Sequence, residues 1–185
     1  MKSRYIDETI DYKGRELRPL WLYERLGLEG DAIAAFTGSC SVKGRDLVDI
    51  EDFKLGKTVA GERMLHFIAE IFGLGMPGIV FAQRLLCAAA VRVINRLACG
   101  EHIERRGDDL WVAEGKLSVS VATVSPVSGL IHMGLNITTA GVPVRAACLD
   151  DLGVDARDAA DGILADFTAE VDGCRRAASK VRPVT

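Results

Sequence analysis

Two neighbouring stretches in the second half of the chain alternate with a period of two, and they constrain the fold more than anything else in it. Lys116 to Val124 sets Leu117, Val119 and Val121 against Lys116, Ser118 and Ser120. Leu130 to Ile137 sets Ile131, Met133, Leu135 and Ile137 against His132, Gly134 and Asn136. Successive side chains of a strand point to opposite faces, so this spacing predicts two half-buried strands. The segment Ser125-Pro126-Val127-Ser128-Gly129 between them reads as a turn. Register then depends on loop length. A three-residue loop, Pro126 to Ser128, sets Ser118 opposite Asn136 and Ala122 opposite His132. Lys116, Ser118, Ser120, His132 and Asn136 then share one face, as a ligand floor or as a solvated sheet surface. A loop one residue shorter sends the two polar sets to opposite faces. The three-residue loop is the expectation carried forward.

Helical spacing appears elsewhere. Gly78 to Leu97 predicts a largely buried helix with Arg84, Arg92, Asn95 and Arg96 on one wet arc. Gln83 lies off that arc and needs a partner if buried. Asp155 to Val181 predicts a second long helix with an apolar stripe of Ile163, Phe167, Val171, Cys174, Ala178 and Val181. Asp155 is its cap, and Arg175, Arg176, Lys180 and Arg182 crowd its C-terminal end. Gly61 to Phe72 predicts an amphipathic helix, with Glu62, His66 and Glu70 on its solvated stripe. Pro19 to Leu26 predicts a short helix closed by Gly27. Asp31 to Phe36 predicts a buried strand, and the polar stretch Gly38 to Lys57 a long loop. A turn at Ala113-Glu114-Gly115 should place the glycine in the left-handed position.

Period-two strands and helical segments both occur along the chain, which reads as α+β. At 185 residues the chain suits one domain spanning 1–185. A formal net charge of −3 argues against a nucleic-acid partner. The absence of an apolar leader and of a long uninterrupted apolar run argues against secretion and against a membrane partner. Five widely spaced cysteines without a C-x-x-C point to a reducing cytoplasm. Cys87 and Cys99 should be core residues, whereas Cys40 and Cys148 should be accessible. Oligomeric state stays open, with a homodimer among the alternatives.

Chemistry gathers in a few places. Arg105, Arg106, Asp108 and Asp109 precede Lys116, and two arginines, two carboxylates and a strand lysine can bind a carboxylate or phosphate. An exposed, charge-balanced hairpin would show the same composition. In the loop Lys43 to Asp52, Arg45 is a candidate anion contact, and Asp49, Glu51 and Asp52 are weak candidates for Mg²⁺. The Arg105, Arg106 and Lys116 group implies a local cationic spot suited to a small anionic or acyl ligand.

The segment Gly107-Asp108-Asp109-Leu110-Trp111-Val112-Ala113-Glu114-Gly115-Lys116-Leu117, followed by His132-Met133-Gly134-Leu135-Asn136-Ile137, resembles biotin and lipoate protein ligases. Nearly the whole chain more closely resembles a prokaryotic family known as domain of unknown function 366. Val48 to Asp52, Met64 to Ile68, Arg105 to Leu110 and Lys116 to Ser120 carry that likeness. The resemblance implies the biotin/lipoate ligase (class II synthetase-like) fold, an α+β domain with a mixed, largely antiparallel sheet flanked by helices. It implies that Lys116 contacts an activated carboxylate and adenylate phosphate, that Asp108 and Asp109 match an acidic pair, and that Asn136 matches a strand-end asparagine. The ligases' glycine-rich adenylate loop is replaced by Ser41-Val42-Lys43-Gly44-Arg45-Asp46, and their Trp-Pro dipeptide by Arg106-Gly107. Related acyltransferases pair the lysine with a cysteine, and Cys148 stands roughly where that cysteine would.

Together these readings lead to an acyl-handling enzyme, ligase or acyltransferase. Lys116, Asp108 and Asp109 would be catalytic; Arg45, Arg105, Arg106, Ser118, Ser120, His132 and Asn136 would bind substrate or nucleotide. ATP, AMP or acyl-CoA would be the cofactor, and no metal is assigned. The alternatives are a non-catalytic binding or regulatory module on the same scaffold, and a Mg²⁺-dependent hydrolase built on Asp49, Glu51 and Asp52.

Overall fold

The computed structural model describes residues 1–100 and 102–184. In chain order its elements are β1 (Lys2–Ile6), α1 (Trp21–Leu26), β2 (Ala32–Lys43), α2 (Ile50–Lys54), β3 (Thr58–Phe72), α3 (Met76–Leu97), β4 (Ile103–Arg106), β5 (Asp109–Val112), β6 (Gly115–Lys116), β7 (Ser118–Val124), β8 (Ser128–Asn136) and α4 (Ala156–Ser179). The main sheet runs β1-β2-β3-β8-β7, and β4-β5-β6 form a second small sheet. β1 is parallel to β2, and the other pairs are antiparallel. This is the mixed, largely antiparallel α+β class expected.

Two apolar layers sandwich the main sheet. On one face, α3 and α4 pack over Ile33, Leu65, Phe67, Ile131 and Met133. On the other, the N-terminal segment brings Tyr12, Trp21 and Leu22 over Phe36, Met64 and Ile68. α3 is long and apolar enough to cross a bilayer by composition, and here it lays Ile79, Leu86, Ala90 and Ile94 against the sheet. Gly129 permits that approach, since a Cβ there would lie 2.7 Å from the Ile79 side chain.

β3 corrects the helix expected over Gly61 to Phe72. A strand covered on both faces needs apolar residues at odd and even positions alike, so its pattern imitates a helical stripe. Leu65, Phe67, Ala69 and Ile71 belong to the helical layer, and Met64 and Ile68 to the other. Glu62, His66 and Glu70 therefore share a strand face, and His66 and Glu70 are buried rather than solvated. Glu70 accepts bonds from the Leu20 amide at 2.9 Å and the Ser128 hydroxyl at 2.6 Å. It thereby fixes Leu20, whose φ of 63° is unusual for a branched residue.

The hairpin takes the shorter loop. The Ser125 amide donates to the Ser128 carbonyl at 2.7 Å, leaving Pro126 and Val127 as the turn. The Ser128 amide donates in return to the Ser125 hydroxyl at 3.0 Å. Ser118 consequently pairs with Leu135, and Val121 with His132. The expected single polar face does not form: Ser118 and Ser120 sit on the helical side, His132 and Asn136 on the opposite one. Two further expectations change. Ala113, not Gly115, takes the left-handed conformation, at φ 47°. Gly115 is required because a Cβ there would come within 3.0 Å of the Ala147 amide nitrogen. β2 continues to Lys43, so the connection to β3 is shorter than expected and contains a 3₁₀ turn at Gly44–Asp46 and α2. Asp155 caps α4 through the Arg157 and Asp158 amides, and its stripe stays buried to Val171, while Cys174 and Val181 are exposed.

Candidate functional site

Beside the edge strand β7 lies a cavity of about 350 Å³. That is within the usual range for small-molecule sites. Tyr12, Val119, Val121 and His132 come from the sheet side, and Asp46, Val48, Asp49 and Asp52 from the connection between β2 and β3. Asp108, Asp109, Lys116 and Ser120 line it from the β5–β7 region. A cleft of about 180 Å³ adjoins it and runs past Ser118 to Asn136 and Pro143. The two share Asp52, Lys57, Val59, Lys116 and Val119. Lys116 thus stands where the two spaces meet.

Its ammonium is held by Asp109 at 2.9 Å. Lys57 pairs with Asp52 at 2.7 Å. Asp108 receives the Gln83 amide at 3.1 Å, with the Arg84 guanidinium also at 3.1 Å. Gln83 donates as well to Ser120 at 2.7 Å, which supplies the partners its buried position requires. The cavity wall therefore carries five carboxylates, Asp46, Asp49, Asp52, Asp108 and Asp109, against two ammonium groups. The expected cationic spot is instead a set of ion pairs with acidic residues in excess.

Several expected site residues lie elsewhere or hold structure. Arg105 donates to the Gly107 carbonyl. Arg106 stacks on Trp111 at 5.4 Å and lies near Glu104 and Glu114. Neither lines the cavity, and neither does Arg45, which is exposed. Asp49 caps α2, and Glu51 lies outside the cavity lining. Among the described residues no three His, Cys, Asp or Glu groups are placed to hold a metal. Ser118 accepts the Leu110 amide at 2.8 Å and ties the two sheets together. Asn136 donates to the Lys116 carbonyl at 3.0 Å and the Ala147 carbonyl at 3.1 Å, so it positions the strand that carries Lys116. Asn136→Ala should cost about 1–3 kcal/mol, since the Ala147 carbonyl loses this donor while the Lys116 carbonyl keeps the Ala147 amide, read by urea denaturation.

The thiols of Cys40, Cys87 and Cys148 are shifted toward the protonated form. Burial pushes Cys40 up to about 12 and Cys87 up to about 11, and raises Cys148. Cys40 and Cys148 are buried, contrary to expectation, and Cys99 is exposed. Cys148 lines a separate cleft with Glu114, Arg145 and Asp151, on a segment whose Ala146 bridges to the Lys116 backbone.

Sequence reasoning missed Tyr12, Lys57 and Arg84, and it set His66, a candidate base or metal ligand, on a solvated helix face although it is buried. His66 Nδ1 lies 3.1 Å from His132 Nε2, and Tyr12 stacks on His132 with centroids 3.7 Å apart and planes 6° from parallel. Burial lowers His66 to about 4 and lowers His132 well below the ordinary value of 6.5. The unfolded chain binds more protons than the folded one between these values, so stability falls as pH drops. The loss begins near pH 6.5 and continues toward about 4. A series of thermal melts should show this decline, and His66→Phe should make it shallower while His132 keeps its own share.

Comparison with other proteins places this geometry. An uncharacterised protein of Methanocaldococcus jannaschii is 30% identical, over 100% of this chain and 86% of its own length. A solved protein of unknown function from Pyrococcus horikoshi is 39% identical with a TM-score of 0.94, covering 100% of this chain and 99% of that one. The Aquifex aeolicus biotin protein ligase in complex with biotin and ATP superposes with a TM-score of 0.66 at 14% identity, over 91% of this chain and 70% of the ligase. A lipoate-protein ligase A bound with ATP gives 0.60 at 13% identity, over 93% and 86%. These last two show the biotin/lipoate ligase-like fold. Residues 1–182 match the family described as Domain of unknown function (DUF366), and the chain is a member of that family.

Proposed function

We propose that this protein activates or transfers a small-molecule carboxyl or acyl group in the cavity beside β7, with Lys116 contacting the reacting carboxyl or phosphoryl group. The observation that carries the reading is the position of Lys116 at the junction of two spaces, with its ammonium aimed by Asp109 at 2.9 Å. A ligand in each space would bring its reacting end to this residue. An ammonium preorganised at such a junction lowers the cost of charge developing on oxygen. The superposed biotin and lipoate ligases have ATP in their structures, which supports an adenylating version of the chemistry.

The wall chemistry bears on which cofactor fits. Lys57 and Lys116 are the cations available to phosphates. Asp46 and Asp49 oppose a bare polyphosphate, and they favour a magnesium-bound nucleotide or a monophosphate ester. Burial raises the Cys148 thiol above its ordinary value, and it lines a neighbouring cleft rather than the cavity, which favours ligase chemistry over transfer through a cysteine.

A second reading, a non-catalytic binding module, draws on the same wall: Lys116 is already neutralised by Asp109, and carboxylates outnumber cations. Thermal shift against Mg-ATP, AMP, biotin, lipoate and acyl-CoA separates the two. A ligand at a hundred times its Kd stabilises by about 2.7 kcal/mol. The enzyme reading expects a shift with a nucleotide or acyl-CoA that Lys116→Ala abolishes; a shift unchanged in that variant counts against it.

A further inference from the structure

Tyr12 is 3% exposed and lines the cavity, and the backbone around it builds its position. Its amide donates to the Ser39 carbonyl at 2.8 Å, and its carbonyl accepts the Ser41 amide at 2.9 Å. The segment crosses β2 where Gly38 leaves room, since a Cβ there would collide with the Ile10 carbonyl oxygen. The ring lies nearly parallel on His132 at 3.7 Å. Its hydroxyl bonds to none of the described residues, yet it is not sealed from solvent, so it opens on the cavity.

A buried polar group is normally hydrogen-bonded, and a phenol without a partner costs more than the phenylalanine that would pack in its place. Ser120 shows the contrast. It carries the only other hydroxyl of the lining, and it donates to the Asp108 carbonyl at 3.1 Å while receiving Gln83 at 2.7 Å. A phenol ordinarily titrates near about 10, and burial raises Tyr12 further, so Oη keeps its proton and can donate it. Val42, Val59, Val119 and Val121 make part of the wall apolar. The carboxylates of Asp46, Asp49, Asp52, Asp108 and Asp109 elsewhere in the wall disfavour a second anionic group on the ligand.

We infer that Tyr12 is a specificity-determining residue whose hydroxyl donates to a neutral oxygen at the far end of an acid held by its carboxyl group at Lys116. That role rests on the reading of Lys116 as the contact for the carboxyl end. The ligand class is a carboxylic acid with an apolar middle and a carbonyl or ether oxygen distant from the carboxyl group. A plain hydrocarbon tail is disfavoured, because it strips water from the hydroxyl and offers no acceptor in return.

Tyr12→Phe tests this in two ways. Without ligand, its Tm should be unchanged or slightly raised, because no described residue loses a hydrogen bond. A marked fall in Tm would give the hydroxyl a structural partner and overturn the inference. Binding is then compared by calorimetry for straight-chain carboxylic acids of graded length and for matched acids carrying a methyl ketone at the far end. At the length that fits, the keto acid should bind about tenfold or more tighter than its hydrocarbon match, and Tyr12→Phe should erase the difference. Equal binding at every length, no binding by either series, or a ketone preference that survives Tyr12→Phe overturns it. Loss of binding in Lys116→Ala, with no ketone preference in the native protein, would retain the Lys116 reading while refuting this one. A ketone preference that Tyr12→Phe abolishes and Lys116→Ala leaves untouched would do the reverse.

Discussion

Lys116→Ala should lower carboxylate activation about 10²–10³-fold, the usual loss when a preorganised charge-stabilising donor is removed. The readout is ATP–pyrophosphate exchange with a panel of carboxylic acids, compared on whichever acid supports exchange in the native protein. Stability should hardly move, because Lys116 and Asp109 are each 28% exposed and such pairs are worth about 0–1 kcal/mol. Asp109→Asn tests orientation separately. It frees the ammonium without removing it, so affinity for AMP should rise while exchange falls. A fall in both would mean that Asp109 chiefly holds the strand in place.

Glu70→Ala should destabilise the protein by about 1–3 kcal/mol. The carboxylate is 3% exposed and receives the Leu20 amide and the Ser128 hydroxyl. Truncation removes the acceptor of the Leu20 amide, an orphan that costs about 1–3 kcal/mol, while the Ser128 hydroxyl keeps Ser125 Oγ at 3.2 Å. It also frees the left-handed Leu20 that leads into α1. Equilibrium denaturation in urea measures the loss. A cost near that of a surface substitution, within about 0.5 kcal/mol, would restore Glu70 to the solvated helix face that its spacing first suggested.

That contrast shows what local pattern does and does not specify here. α3, α4 and the α1 turn were legible because each has one dry and one wet side, and β8, though buried throughout, still alternates His132, Gly134 and Asn136 with Ile131, Met133 and Leu135. β3 was not legible, since both of its faces are covered and its apolar residues follow no single strand alternation. The hairpin register turned on one residue of loop length, settled by the Ser125–Ser128 pairing. Lys116, Asp108, Asp109, Ser120 and His132 do reach one cavity. Sequence spacing could not show that Arg106 turns away onto Trp111 while Arg84 arrives from α3 at Asp108. Nor could it show Tyr12 stacked on His132, a contact between residues 120 positions apart that exists only through the sheet's second layer.

Backbone chemical-shift mapping with AMP as the titrant tests most directly whether the cavity beside β7 is the working site. The perturbations should gather at Lys57, Asp109, Lys116, Val119 and His132. Perturbations centred instead on Arg105 and Arg106, or on the separate cleft at Arg145 and Cys148, would contradict the assignment, as would a spectrum that AMP leaves unchanged.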